Sequence, residues 1–462
     1  MPLPQSIIST NPSRNFDVLG EVPMSSPDEV RAALKKAHAA FPAWSRLSLP
    51  ERLAHMKRFR DVFMARKDHL STLISQEMGM PITQSHFNTE RADRYMMWSL
   101  DHAEESLSPL ITLQTESEIN EVIYEPHGVV ACISPWNFPA SNFVWACFQA
   151  LIAGNTVVFK NSEDVQLFAC EIESIAQESA LPDGVLNVIY GDGQVAQNLI
   201  AGDIDFICFT GSTRVGQLLY KQAAEKFIPC VLEMGGSDPA IVFADANLEK
   251  TIPAIYSGRF GNCGQVCTAL KRLIIHESLF DDVAKRLQET LTMQIVGDAL
   301  DPATTIGPLV SQKQLDLLES QVADALDKGA HIISGGRRPP HLQGGSFYEP
   351  TLLTHVTPNM RIWHEEVFGP VLPLVPFSTY DEAIALANDT IYGLSATIFT
   401  EDQALAQRAT GDLKAGMVKV NHLLTSKPCN PFGGHKLSGI GLENGTFGFH
   451  DVCRKKIIAR EI

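Results

Sequence analysis

From about residue 120 onward, short apolar runs alternate with helix-length segments, and this alternation restricts the fold more than any other feature of the chain. The first set of runs covers residues 128–133, 156–159, 185–190, 206–209, 230–232 and 240–243. Each is of strand length, and the segments between them are long enough for helices. Strands joined by helices cannot form tight hairpins, so they line up in parallel, and an α/β sheet is expected. A second set follows Cys267, at residues 273–275, 371–375, 396–399 and 417–420, and predicts a second α/β unit. A chain of 462 residues is also too long for one typical core, so two or three domains are expected.

Two amphipathic helices are predicted ahead of this region. Ser26-Pro27-Asp28-Glu29 and Ser48-Leu49-Pro50-Glu51 both read as capping boxes with proline in the first turn. Val30, Leu34, Ala37 and Phe41 follow the first at helical spacing, and Leu53, Met56, Phe59 and Phe63 follow the second.

The composition, 45% hydrophobic and 19% charged, is that of an ordinary soluble globular protein. A net charge of −16 argues against nucleic acid or anionic lipid as a partner. The longest apolar window, residues 143–159, is interrupted by Gln149, Gly154 and Asn155 and reads as a buried helix and strand rather than a membrane span. Residues 1–8 do not read as a secretory signal. The nine cysteines are scattered and odd in number, a reduced and cytoplasmic pattern. Cys263 and Cys267 are the only close pair, without histidines at zinc spacing, so no metal site is expected.

Several motifs bear on chemistry. Gly264-Gln265-Val266-Cys267 puts a thiol beside a glycine turn, 34 residues after Glu233 of Glu233-Met234-Gly235-Gly236. Ser134-Pro135-Trp136-Asn137-Phe138-Pro139 follows a predicted strand, and its prolines restrict a side-chain amide that could donate to an oxyanion. Phe209-Thr210-Gly211-Ser212-Thr213-Arg214-Val215-Gly216 leads from a strand into a helix, where small residues let backbone N–H groups approach a pyrophosphate. Lys160 ends a predicted strand with Glu163 three residues on, a pair able to bond ribose hydroxyls. Glu366–Pro370 and Pro431–Gly439 are aromatic-bearing loops. Taken singly, these also fit a core cysteine, a proline-rich turn, a plain strand-to-helix turn, a solvated loop and packing corners.

Together they resemble the NAD(P)-dependent aldehyde dehydrogenase superfamily, over nearly the whole chain from about Asn11 and in that family's order. Residues 233–239 and 264–268 look most like the short bacterial succinate-semialdehyde dehydrogenases. The resemblance implies Cys267 as nucleophile, Glu233 as general base, and Asn137 with the Cys267 N–H as oxyanion hole. It implies cofactor contacts from Ser134, Pro135, Trp136, Lys160, Glu163, Gly193, Thr210, Gly211, Ser212, Val215, Glu366 and Phe368. It further implies an aldehyde oxidised to an acid through a hemithioacetal and a thioester on Cys267. NAD is expected as cofactor, with NADP possible, because Glu163 would repel a 2′-phosphate.

The implied architecture is a Rossmann-like cofactor domain (residues 1–107 and 127–235), an α/β catalytic domain (236–441) and a small β oligomerisation arm (108–126 and 442–462). A homodimer or homotetramer is expected. Substrate-facing positions are Phe138, Trp145, Arg259, Val266, Thr268, Ser426 and Lys427. Related semialdehyde enzymes often carry arginine where Trp145 and Gly261 stand, to bind a distal carboxylate; Trp145 is more usual for hydrophobic aldehydes. Arg259 and Lys427, with Ser426 as donor, are the expected replacements, and succinate semialdehyde is the expected substrate. The alternatives are an uncharged aliphatic or aromatic aldehyde, a CoA-acylating enzyme, and a non-catalytic or thiol redox-sensing relative. Cys263 is also a candidate for an oxidative disulfide with Cys267.

Overall fold

The computed structural model describes residues 5–342, 344–422 and 426–462. The chain opens with an antiparallel ribbon, β1 (Ser6–Asn11) and β2 (Asp17–Pro23). Four helices follow: α1 (Pro27–Arg46), α2 (Leu49–Ala65), α3 (Lys67–Met78) and α4 (Ile82–Leu107). Both expected capping boxes form. Glu29 accepts from the Ser26 N–H at 2.7 Å, while the Ser26 hydroxyl oxygen accepts from the Glu29 N–H at 3.3 Å. Glu51 accepts likewise from the Ser48 N–H at 2.7 Å. Val30, Leu34, Ala37, Met56, Phe59 and Phe63 are buried; Phe41 and Leu53 are partly so.

A hairpin, β3 (Leu110–Gln114) and β4 (Glu118–Pro126), leads into the first sheet. Its parallel strands are β5 (Val129–Ser134), β6 (Thr156–Asn161), β7 (Leu186–Ile189), β8 (Phe206–Thr210) and β9 (Cys230–Glu233). Their spatial order is β7-β6-β5-β8-β9, so the direction of winding reverses between β5 and β8. At such a reversal the connections leave to opposite faces and open a crevice at the carboxyl ends, where ligands bind in this architecture. Every residue of β5 and β6 is buried, as helices on both faces require.

The second sheet contains β10 (Asp238–Val242), β11 (Leu270–His276), β12 (His331–Ser334), β13 (Thr351–Thr354), β14 (Val371–Phe377), β15 (Ser395–Phe399) and β16 (Met417–Val420). Its order is β12-β13-β14-β11-β10-β15-β16, with only β12 antiparallel. The apolar run at 240–243, expected in the first alternation, instead supplies most of the interior strand β10 of this second sheet. Local hydrophobicity identifies a strand without naming its neighbours. The short β17 (Gly439–Ile440) returns to pair antiparallel with β9, and β18 (Cys453–Glu461) pairs with β4 to complete a three-stranded arm. Among the described residues, no helix is long and apolar enough to cross a membrane.

Candidate active site

A cavity of about 690 Å³ opens at the carboxyl ends of β5 and β8, where the strand order reverses. Cys267, Glu233 and Asn137 all line it, brought together from three segments far apart in sequence. Cys267 follows a tight turn in which Asn262, Cys263 and Gly264 are all left-handed, at φ 50°, 55° and 72°. A Cβ at Gly264 would run into the Gly369 carbonyl, so glycine is what lets the loop pass. Burial pushes the Cys267 thiol up to about 12, with Lys271 opposing and Glu366, Asp238 and Glu233 adding to the rise. The thiol is therefore protonated at rest. Lys271, itself buried, donates Nζ to the carbonyls of Val266 (3.0 Å) and Cys267 and to Glu366 Oε1 (2.9 Å).

The Asn137 amide is oriented from both ends. Its Oδ1 accepts from Asn142 Nδ2 at 3.1 Å, and its Nδ2 donates to the Gln265 carbonyl at 3.1 Å. Asn262 Nδ2 donates to the Asn137 carbonyl at 2.9 Å, tying the motif to the turn before Cys267. Glu233 ends β9 and is 2% exposed, with neither carboxylate oxygen partnered among the described residues. Burial, then the adjacent Glu443, raise its carboxyl well above the usual range. Glu443 also lines the cavity, and burial pushes it up to about 7. Two neighbouring buried carboxyls disfavour each other's ionisation, so one of them holds a proton near neutrality.

Of the expected cofactor positions, Pro135, Trp136, Thr210, Gly211, Ser212, Glu366 and Phe368 line the cavity. Trp136 and Phe368 meet edge to face at 5.5 Å. Glu366 Oε1 accepts from the Gly236 N–H at 3.2 Å. Ser134, Lys160, Glu163, Gly193 and Val215 are not in the lining. Ser134 is buried at the end of β5, and Val215 packs against the first sheet's core. Lys160 is the last residue but one of β6, one strand away, with Nζ 3.5 Å from Glu163 Oε2. Gly193 begins the helix Gly193–Ala201, with open space where its Cβ would be.

On the substrate side, Phe138, Trp145, Val266, Thr268 and Ser426 line the cavity. Arg259 and Lys427 do not. Arg259 is fully buried and donates to the Val367 and Gly369 carbonyls, so its guanidinium supports the loop that carries Phe368. Lys427 is exposed. The expectation that these two bring a cation to the cavity is not met; Arg91 of α4 lines it instead. Its guanidinium lies 4.9 Å from the Phe138 ring centroid and 5.0 Å from that of Trp145, and Nε donates to Ser141 Oγ at 3.2 Å. A signal was available: Asn88, Arg91 and Tyr95 stand at i, i+3 and i+7, placing a charge beside a buried stripe. Glu443, Lys271 and Asn142 were also missed. Cys263 packs in the second sheet's core rather than lining the cavity, so nothing in its placement favours a bond to Cys267.

Residues 3–458 match the aldehyde dehydrogenase family. The succinate-semialdehyde dehydrogenase (NADP(+)) of Escherichia coli K12 is 35% identical over 454 residues, covering 98% of this chain and 94% of that protein. The 3-sulfolactaldehyde dehydrogenase of Pseudomonas putida is 33% identical, covering 97% and 92%. The crystal structure of betaine aldehyde dehydrogenase from Staphylococcus aureus in complex with NAD+ superposes with a TM-score of 0.94 at 31% identity, covering 98% and 91%. The chain belongs to the aldehyde dehydrogenase family, oxidoreductases that act on aldehydes.

Proposed function

We infer that this protein oxidises a short aldehyde with an anionic far end, succinate semialdehyde being the best fit, to the acid with NAD or NADP. The observation that carries this reading is Arg91, a cation in the same cavity as Cys267, Glu233 and Asn137. A guanidinium suits a carboxylate's two oxygens, and Ser426 in the same lining offers a further donor. Trp145 occupies the position where an arginine was expected, and the guanidinium of Arg91 lies over it.

The residues present suit a dinucleotide. The turn Thr210–Ser212 leads into a helix of 14 residues whose N-terminus favours phosphate, and Glu366 is held at the cavity beside Gly236. Lys160 and Glu163 lie one strand further along the same carboxyl edge, where an adenosine ribose would reach. The bound nicotinamide supplies the hydride acceptor. Asn137 Nδ2 and the Cys267 N–H would steady the oxyanion formed when the Cys267 sulfur attacks the aldehyde carbon, its S–H proton passing to an ionised carboxyl of the Glu233–Glu443 pair and on to solvent. Loss of hydride leaves a thioester on Cys267. Glu233, once ionised, takes a proton from water; the hydroxide attacks the thioester carbonyl, and the thiolate leaves and regains a proton. Glu443 beside it can take up the proton Glu233 otherwise holds. A base for water also disfavours the CoA-acylating alternative.

Three further readings accompany this one. The first sheet with its helices serves as the cofactor unit and the second as the catalytic unit, with β17 crossing back to the first. The arm, whose strand β3 exposes Leu110, Ile111 and Leu113, pairs with a second copy in a homodimer or homotetramer. All nine cysteines are free, which suits the reducing cytoplasm. The test is NADH formation from succinate semialdehyde. Wild type should turn it over with a higher kcat/KM than hexanal, and Cys267→Ala should form no NADH. Substantial turnover by that variant would overturn the nucleophile assignment, and a preference for hexanal the substrate class.

A further inference from the structure

Three buried thiols stand behind the carboxylate pair, and no step described above uses them. Cys132 on β5 and Cys208 on β8 are register partners on adjacent parallel strands, so the sheet itself sets them side by side. Cys147 approaches from the helical turn Val144–Phe148. None is more than 2% exposed. Cys132 donates its S–H to the Ala146 carbonyl at 3.2 Å. Cys208 Sγ lies 3.6 Å from Glu443 Oε1, with the thiol as donor. Glu443 Oε2 and both oxygens of Glu233 have no hydrogen-bond partner among the described residues. Cys208 is therefore the one side chain among them that donates to this pair.

We propose that Cys208 is a positioning residue for the two carboxyls: by donating its S–H to Glu443, it holds that side chain and biases which of Glu443 and Glu233 carries their proton. This rests on the reading that Glu233 is the base for water. Glu443 is faced by Glu233 from β9, Cys208 from β8, Cys132 from β5 and Cys147 from the helical turn. Glu233 is faced by Glu443 and, across the cavity, by Cys267. A donor to Glu443 favours its ionised form and so leaves the proton on Glu233, where it blocks the base. The thiol is a weak donor and sets a mild bias; a hydroxyl would set a stronger one, and a methyl none.

The experiment is the pH profile of kcat for wild type, Cys208→Ala and Cys208→Ser, with succinate semialdehyde and NAD. The same substitutions are repeated in a Glu443→Gln background. The acid limb should move down in Cys208→Ala and up in Cys208→Ser, each by about half to one pH unit, and neither should move it once Glu443 is glutamine. A substitution that merely disturbs packing would move both the same way. Infrared titration of the buried carboxyl bands, assigned with Glu233→Gln and Glu443→Gln, reads the same populations without turnover. If wild type oxidises no aldehyde, the functional reading fails while the infrared titration still decides the role of Cys208. Shifts of one sign, shifts that persist in Glu443→Gln, or carboxyl bands unchanged by both substitutions would overturn the proposal.

Discussion

Replacing Arg91 with methionine removes one charge and keeps a long, flexible side chain over Phe138 and Trp145. If the guanidinium holds the substrate's carboxylate, the loss is that of a charged hydrogen bond, about 1.5–3 kcal/mol. At about 1.36 kcal/mol per factor of ten, kcat/KM for succinate semialdehyde should fall on the order of 10- to 150-fold. The far carboxylate is held alike in ground and transition states, so the fall should come through KM with kcat nearly kept. Hexanal makes no use of the charge, and its kcat/KM should change by less than about threefold, since methionine leaves an apolar wall. Arg91→Lys should fall between, because an ammonium keeps the charge and loses the planar fork. The assay is initial-rate NADH absorbance at saturating NAD for both aldehydes and all three proteins. Equal losses for both aldehydes would mean that Arg91 only packs the wall. No loss for succinate semialdehyde would mean that its far end is held elsewhere. Either result refutes the argument.

Other outcomes follow from the same geometry. Asn137→Ala should lower kcat on the order of 10²–10³, since it removes one oxyanion donor; a loss below about tenfold, by steady-state rates, would point to another donor. Because burial holds the free enzyme's Cys267 thiol up to about 12, its alkylation by iodoacetamide should rise about tenfold per pH unit from pH 7 to 9. A plateau below pH 8, in labelling followed by mass spectrometry, would show a thiolate already formed. Glu163, half exposed beside Lys160, should favour NAD over NADP, and Glu163→Gln should narrow the ratio of their kcat/KM values. Equal use of both cofactors by wild type would refute that role.

Much of the scaffold could be read along the chain, because it depends on neighbours in sequence. The capping boxes at Ser26 and Ser48 form, since a cap is satisfied within one helical turn. The apolar runs become strands, since continuous hydrophobicity over a few residues suits burial on both faces. The grouping of those strands was less legible: the run at 240–243 belongs to the second sheet, which only the crossover after β9 decides.

The candidate site divides in the same way. Cys267, Glu233 and Asn137 could be singled out from motifs, because glycine turns and paired prolines mark where a backbone is constrained for a side chain's sake. Arg259 could not be told from Arg91 in that manner. Each sits on a helix, and one is locked onto the Val367 and Gly369 carbonyls while the other faces the cavity. The joining of Cys208, Glu443 and Glu233 was likewise beyond the sequence, as it needs β8 and β9 side by side and residue 443 folded back against them. The sequence alone marked the first two helices, most strands of the two sheets and the thiol that lies beside a glycine turn, since these follow from local backbone chemistry. Which cation lines the cavity and which carboxyls lie side by side were decided only by tertiary structure, because burial and charge proximity belong to no single segment.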